Sequence, residues 1–544
     1  MTRNDAPAPD AADVVVLGSG AAGLTAALTA SAKGLRVLIL EKSDKIGGTS
    51  AMSGAGTWIP DNHHARAKGI EDSKEQALAY IEAVLPVEWK NRELPRWRAF
   101  VDNAADMLSF VEDKTPIEFE VLSEPDPVLE APGAVKYGRM LSPRPMKIRA
   151  AIGDLAHKLR GSTQPHDLTY EEMIWANFIR RPVSGHIKQA PKILKRKLGG
   201  YETQGSALIA GLLSGCLKQG CTLLTGAQAT SLEQDADGSV TGITYLHEGR
   251  EKTTMANRGV VIATGGFEWN PEMYAAHFPE QLDFLCTPRT NTGDGQKMAA
   301  AAGAEMAQMD QANVAGALPT RYEGEIHGMP LRYQANRFAI VVNQAGKRFG
   351  NEYDFNFGER LLDRDPATGA YPNLPAWVVA DSRILKYTPI LPYFARHKKG
   401  WLVKAPTLAA LAGKIGVPAA ALEETVARFG AFARNGKDED FGRSESQFDK
   451  LISGKRGTMA PLETPPYVAM PFNISLMGTK GGPMTDDRGR VVRPDGSVIP
   501  GLFAAGNAMA NPFGTRAVGT GTTIGPVMTW GYICGNTLAG AQEA

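Results

Sequence analysis

The chain has 544 residues, 43% of them apolar, enough to bury two sizeable cores, so several domains are expected rather than one. Its 59 Lys and Arg against 58 Asp and Glu leave a net charge of +1, which provides no global field to gather nucleic acid or an acidic partner. Cys216, Cys221, Cys286 and Cys534 show no paired-ligand spacing and read as thiols in a reducing compartment, so a cytoplasmic protein with no disulfide and no metal is expected.

The first dozen residues, rich in Ala, Pro and Asp, lack the basic start and apolar run of an export signal. No apolar stretch reads as membrane-spanning, because the run over 14–30 is broken by glycines. Val14-Val15-Val16-Leu17 reads as a buried parallel strand, followed by the turn Gly18-Ser19-Gly20-Ala21-Ala22-Gly23 and an Ala/Leu-rich helix to about Lys33. Gly18 lets the chain turn sharply, Gly20 lets the backbone approach a pyrophosphate, and Gly23 lets helix pack on strand, while the helix N-terminus supplies positive partial charge. A second strand over 36–40 ends at Glu41, placed to accept hydrogen bonds from the ribose hydroxyls of an adenosine, and Lys42 follows. A glycine pattern alone is often a structural turn; the strand, helix and terminal acid make it a dinucleotide site.

The segment after Lys42 separates flavin from nicotinamide. Gly47-Gly48-Thr49-Ser50-Ala51-Met52-Ser53-Gly54-Ala55-Gly56 is nearly free of bulky side chains, as a wide flat ring system requires, and Ser50 and Ser53 offer hydroxyls. FAD is therefore the expected cofactor. His63-His64 has no carboxylate at metal spacing and reads as surface. The basic stretch over 180–197, with Ile187, Ile193 and Leu194 interleaved, reads as a solvated face, a peripheral contact with an anionic membrane, or the entrance for an apolar substrate. Trp58, Trp175 and Trp530 read as core residues, with the wall of an apolar site as the alternative. Ala229 is placed beside the cofactor, as are two strands that end in glycine turns, one with Ala263, Thr264 and Gly265 and the other with Gly506 and Asn507. Their separation in sequence makes the nucleotide domain discontinuous. Finally Gly519-Thr520-Gly521-Thr522-Thr523-Ile524-Gly525 opens a helix whose N–H groups are expected to stabilise negative charge on a reduced flavin pyrimidine ring.

Nearly end to end, the chain resembles the flavoprotein group of fumarate reductases and succinate dehydrogenases, and within it the 3-ketosteroid dehydrogenases. The resemblance is carried by Ser53-Gly54-Ala55-Gly56-Thr57-Trp58-Ile59-Pro60-Asp61-Asn62, Asp72-Ser73 and Gly478-Thr479-Lys480-Gly481-Gly482-Pro483. Asp495-Gly496-Ser497-Val498-Ile499-Pro500-Gly501-Leu502 and Thr523-Ile524-Gly525-Pro526-Val527-Met528-Thr529-Trp530-Gly531-Tyr532 complete it. It implies an α/β fold: a discontinuous Rossmann-type FAD-binding domain over 1–275 and 459–544, with a helical excursion near 85–200, and an inserted α+β substrate cap over 276–458. It also implies non-covalent FAD, a small cyclic ketone as substrate, and removal of hydrogens from adjacent carbons.

Desaturation beside a carbonyl needs a polariser for the ketone oxygen, a base over the α-hydrogen, and flavin against the β-carbon. The ketosteroid enzymes resemble one another in using tyrosines for the first two, and here this chain departs. The cap motif reads Arg348-Phe349-Gly350-Asn351-Glu352-Tyr353-Asp354-Phe355-Asn356, with Asn356 in place of the base tyrosine, or of the arginine acid of fumarate reductases. Ala517, in Gly514-Thr515-Arg516-Ala517-Val518-Gly519, replaces the ketone-binding tyrosine, and Glu124-Pro125-Asp126-Pro127-Val128 stands where a third tyrosine is expected. Arg516 is then the expected ligand of a ketone oxygen or substrate carboxylate, its alternative being a salt bridge to a cap acid, with the Gly519 and Gly521 N–H groups completing an oxyanion site. Tyr353 is the candidate base, ionised by Arg348 or Arg516, or else a packed cap tyrosine. Tyr137 is a weaker alternate, more naturally a pocket wall. Three functions remain open: desaturation of a 3-oxosteroid or smaller cyclohexanone-type ring with electrons passing to an unnamed acceptor, reduction of a fumarate-like acid, and a non-catalytic FAD carrier.

Overall fold

The computed structural model describes residues 9–176 and 182–540, with the side chains of 174–176 and 186 left aside. The strand Ala11–Leu17 lies at the centre of a mixed eight-stranded sheet. Val14, Val15 and Val16 are fully buried, as a continuous apolar run must be when a strand is covered on both faces. It pairs in parallel with Val37–Glu41 on one side and Arg250–Ile262 on the other. Thr222–Thr225 and Val498–Ala504 extend the parallel portion outward. The chain therefore leaves this sheet at 262 and re-enters it near 490, with Arg490–Val492 at the edge. The helix Ile524–Gly540 packs closely on Ala21–Ala32, because a Cβ on Gly531 would stand 2.3 Å from the Ala22 carbonyl oxygen.

A second lobe is built on a four-stranded antiparallel sheet, in the order Ala339–Val342, Trp377–Ala380, Tyr467–Pro471, Val403–Ala405. Its strand Tyr467–Pro471 lies beyond residue 458, where the inserted cap was expected to end. The reason is burial: Val468, Ala469 and Met470 are wholly enclosed, so this run is a central strand and not a linker. Side chains alternate across the sheet, with Val341, Val378 and Met470 in one core and Ile340, Val379 and Ala469 in another.

Four charges sit inside this lobe. Arg348 forks onto Glu352 at 2.8 and 2.9 Å and onto Asp438 at 2.8 Å, and Arg443 reaches Glu352 at 3.0 Å. These side chains are at most 3% exposed, so the Arg348/Glu352 motif is an ion-pair core that holds the cap loop.

Elsewhere, the helix Lys90–Lys114 turns Trp97, Phe100 and Met107 inward. The helix Pro182–Gly199 does the opposite, leaving Val183, Ile187, Leu194 and Leu198 58–80% exposed. No helix among the described residues is long and apolar enough to cross a membrane.

Candidate active site

A cavity of about 620 Å³ opens at the carboxyl ends of the parallel strands and runs to the second lobe. Its dinucleotide end is made of backbone. Gly18 has φ +105°, and a Cβ there would lie 2.5 Å from the Ala263 carbonyl oxygen. Gly23 is as constrained, its Cβ falling 2.1 Å from the Gly18 carbonyl oxygen, and this packing role keeps it off the cavity wall. Every other residue assigned to the dinucleotide lines the cavity, from Gly18, Gly20, Ala21 and Ala22 through Glu41 and Lys42 to Thr522, Thr523 and Ile524.

Glu41 is held by Ser19, whose N–H and hydroxyl donate to it at 3.0 and 2.7 Å, and by the Ser43 N–H at 2.9 Å. A carboxylate so held keeps a lone pair for a further donor. Lys42 donates to Thr292 Oγ1 at 2.6 Å and Asp294 Oδ2 at 2.9 Å. Two wall residues, Thr264 and Asn507, carry buried oxygens with no partner among the described residues. A cradle of small residues at a helix N-terminus, with a held carboxylate at the end of the second strand, fits FAD, and these are the residues that would hold it.

The opposite wall is made of side chains. The Ser123 N–H and hydroxyl donate to Glu171 at 3.0 and 2.6 Å, which ties the segment before Glu124 to the helix Tyr170–Ala176. Glu124 and Tyr170 thus stand together on the wall beside Thr520. Burial raises the Glu124 carboxyl above its ordinary range, opposed by Thr520 and Arg332. The negative charge of Glu124, and then burial, raise the Tyr170 phenol far above its ordinary value, keeping it neutral.

Arg332 completes this wall. Its Nη2 donates to the carbonyl oxygens of Tyr353 and Asp354 at 2.6 and 2.8 Å, and its guanidinium stacks 5.4 Å from the Phe355 ring centroid and 5.8 Å from that of Phe448. Its Nε has no hydrogen-bond partner, and among the described residues Arg332 enters no ion pair. Burial lowers its pKa, although Asp354, Asp449 and Glu124 counteract this from a distance.

The residues assigned to catalysis divide. Tyr353 is 3% exposed, does not line the cavity, and packs 4.8 Å beneath the Arg443 guanidinium, because the Asn351 side chain accepts its N–H and turns the chain there. Arg516 is also off the wall. Its Nε and Nη2 bond Glu359 at 3.0 and 2.8 Å and its Nη1 bonds the Val84 carbonyl at 3.2 Å, while neighbours Thr515 and Ala517 face the cavity. Asn356 lines the cavity but is occupied: Nδ2 donates to the Ala517 carbonyl at 3.0 Å and Oδ1 accepts the Ala517 N–H at 2.9 Å. The Gly519 N–H donates to Thr522 Oγ1 at 2.9 Å, so it is not directed at a substrate oxygen. Gly521 lines the cavity and cannot carry a side chain, since its Cβ would stand 2.5 Å from the Thr57 nitrogen.

Trp58 and Trp530 are core residues, Trp58 bonding Asp126 at 3.0 Å, and Trp175 lies outside the described side chains. Tyr137 is 38% exposed and not a cavity wall. The reading of His63 and His64 is corrected: Glu112, from the helix Lys90–Lys114, stands 2.9 Å from His63 Nε2 and 2.8 Å from His64 Nε2. The three ligand atoms lie within 4.8 Å of one another, a donor set at metal-binding spacing.

The model of a family described as FAD binding domain matches residues 13–524. A 4-oxocyclohexanecarboxylate 2-dehydrogenase of Sinomonas cyclohexanicum is 38% identical over 97% of this chain and 93% of its own. A 3-oxosteroid 1-dehydrogenase of Mycobacterium tuberculosis is 34% identical, over 97% and 98%. The crystal structure of a 3-ketosteroid delta1-dehydrogenase from Sterolibacterium denitrificans, in complex with 1,4-androstadiene-3,17-dione, matches at TM-score 0.86 and 30% identity, covering 98% of this chain and 100% of that one. With a cradle shaped for a dinucleotide and relatives matched along nearly their whole length, the chain belongs to the FAD binding domain family and is an FAD-dependent oxidoreductase.

Proposed function

We propose that this enzyme desaturates a cyclic ketone bearing a carboxylate, a ring of the 4-oxocyclohexanecarboxylate type, between the carbons α and β to the carbonyl. Arg332 is the observation that carries this reading: a half-buried guanidinium with no close ion-pair partner among the described residues lines the same cavity as the cofactor cradle. A steroid has no carboxylate with which to neutralise it, whereas a keto acid presents an anion to a donor already fixed by two carbonyls and two rings.

When bound in the cradle, FAD would supply the two-electron oxidation. Arg332 binds and orients the substrate by its carboxylate, in surroundings where a charge-assisted bond is stronger than in water. Phe355, Leu331 and Met477 provide apolar wall for the ring. The mutual hydrogen bonds of Asn356 and Ala517 latch the Thr515/Ala517 loop to the cap, closing the cavity at that side against water. Glu359, itself on the cavity wall, is raised by burial and drawn down by Arg516, and the pair ties the same loop to the cap.

Anaerobic mixing of the purified flavoprotein with 4-oxocyclohexanecarboxylate, cyclohexanone, 4-androstene-3,17-dione and succinate tests the reading. The keto acid is expected to bleach the flavin fastest and yield the α,β-unsaturated ketone. Reduction by the steroid alone, or by succinate alone, would contradict it.

The helix Pro182–Gly199 supports a peripheral contact with an anionic membrane. It sets the exposed Val183, Ile187, Leu194 and Leu198 among Lys188, Lys192, Lys195 and Lys197, the arrangement of an interfacial helix.

A further inference from the structure

A ketone desaturase must remove an α-proton, yet neither residue first assigned to this position is free to do so. Tyr353 lies under Arg443, away from the cavity, and both ends of the Asn356 amide are held by Ala517. Resting on the reading of this cavity as a ketone-desaturating site, we propose that Glu124 is the general base, and that Tyr170, as a neutral phenol, donates a hydrogen bond to the ketone oxygen as it becomes an enolate.

Position supports both roles. Both side chains line the cavity, and Ser123 and Glu171, their neighbours in sequence, are joined by two hydrogen bonds that set the two segments side by side. Pro125 and Pro127 stiffen the chain after Glu124, and Asp126 between them is anchored by the Trp58 indole at 3.0 Å, the Val135 N–H at 2.9 Å and Arg139 at 2.9 Å. The Tyr170 ring rests on the cofactor's small-residue segment, where a Cβ on Gly54 would approach Tyr170 Cδ2 to 2.9 Å. A phenol in that place stands beside the flavin cradle.

The balance is simple. The α-C–H bond breaks, its electron pair enters the enolate, and the proton forms an O–H bond on the Glu124 carboxylate. The new C=C bond forms as the β-hydride carries two electrons to FAD, and the proton on Glu124 then passes to solvent. The groups facing Glu124 from the elements around it are Tyr170 and Glu171 on the helix, Thr520 on the C-terminal loop and Arg332 from the cap. Burial is the largest influence among them and raises the carboxyl, which brings a carboxylate base closer to neutral pH, where proton transfer is most effective.

Stopped-flow flavin reduction by 4-oxocyclohexanecarboxylate, measured from pH 5 to 9, decides the matter. Wild type is expected to show an acidic limb, the rate rising with pH as Glu124 ionises. Glu124→Gln should lose about 10²- to 10⁴-fold in the reduction rate and lose that limb, with FAD content and visible spectrum retained. Glu124→Asp, which keeps the carboxylate, should fall between and keep the limb. Tyr170→Phe should lose about 10²-fold with the limb intact, as removal of one enolate donor does. A Glu124→Gln enzyme within about fivefold of wild type, or one with an unchanged acidic limb, would overturn the assignment. A wild-type enzyme bleached by no ring ketone would instead remove the desaturase reading itself, so the two failures are told apart.

Discussion

The two ends of the cavity are built from different materials. At the dinucleotide end, Gly18, Gly20, Ala21 and Gly506 present backbone, and what matters is the absence of side chains. At the cap end, Glu124, Tyr170, Arg332 and Asn356 present functional groups, and what matters is their identity and the segment that delivers each. A backbone site is specified by local geometry and fails when an atom is added. A side-chain site is specified by long-range packing and fails when a group is taken away.

The sharpest break of the side-chain region lies behind its wall. Glu352→Ala leaves Arg348 and Arg443 facing one another with only Asp438 for balance, and should destabilise the protein by about 3–5 kcal/mol, read from chemical denaturation. The matching break of the backbone region is Gly18→Ala, which adds one methyl group against the Ala263 carbonyl in a left-handed conformation. Strain of about 1–3 kcal/mol should weaken FAD binding by about tenfold or more, visible as a loss of 450 nm absorbance after dialysis. Unchanged FAD content in that variant would mean the cradle tolerates side chains and would erase the contrast.

Glu124 sharpens the comparison through pH. Its folded pKa is raised, so the stability associated with its protonated form is present below the ordinary glutamate range and is lost as pH rises through the folded value. Glu124→Gln should therefore melt above wild type at pH 8, with the difference narrowing toward pH 5. A variant that melts below wild type at pH 8 would show that the ionised carboxylate is stabilising where it sits. The smallest effect is at the surface: Ile187→Glu with Leu194→Glu should reduce co-sedimentation with phosphatidylserine vesicles severalfold and leave flavin reduction unchanged.

The same contrast explains what was legible in the sequence. Gly18, Gly20 and Gly23 occupy fixed spacings because one turn imposes all three constraints, and Glu41 follows at the end of the adjacent strand, so this end could be read residue by residue. The Rossmann half and the return of the chain near 500 were equally local signals. The cap wall was not, since residues 124, 170, 332, 356 and 520 meet only after folding. Arg332 and Tyr170 carry no motif, and Glu124 registered only as the absence of a tyrosine. Arg516 was misplaced because its loop alternates, with Thr515 and Ala517 turned to the cavity and Arg516 turned to Glu359. His63 and His64 lacked their carboxylate for the same reason, Glu112 being brought to them by a distant helix.

Substrate choice by the charged wall is tested most directly by Arg332→Met, which keeps a long side chain between Phe355 and Phe448 and removes the cation. kcat/KM should be measured for 4-oxocyclohexanecarboxylate and for cyclohexanone in both enzymes. Loss of a buried carboxylate contact, about 2–5 kcal/mol, should lower the value for the keto acid by at least about 30-fold while cyclohexanone changes by only a few fold. An equal fall for both ketones, or no fall for the keto acid, would contradict the assignment of Arg332 as the substrate's counter-charge.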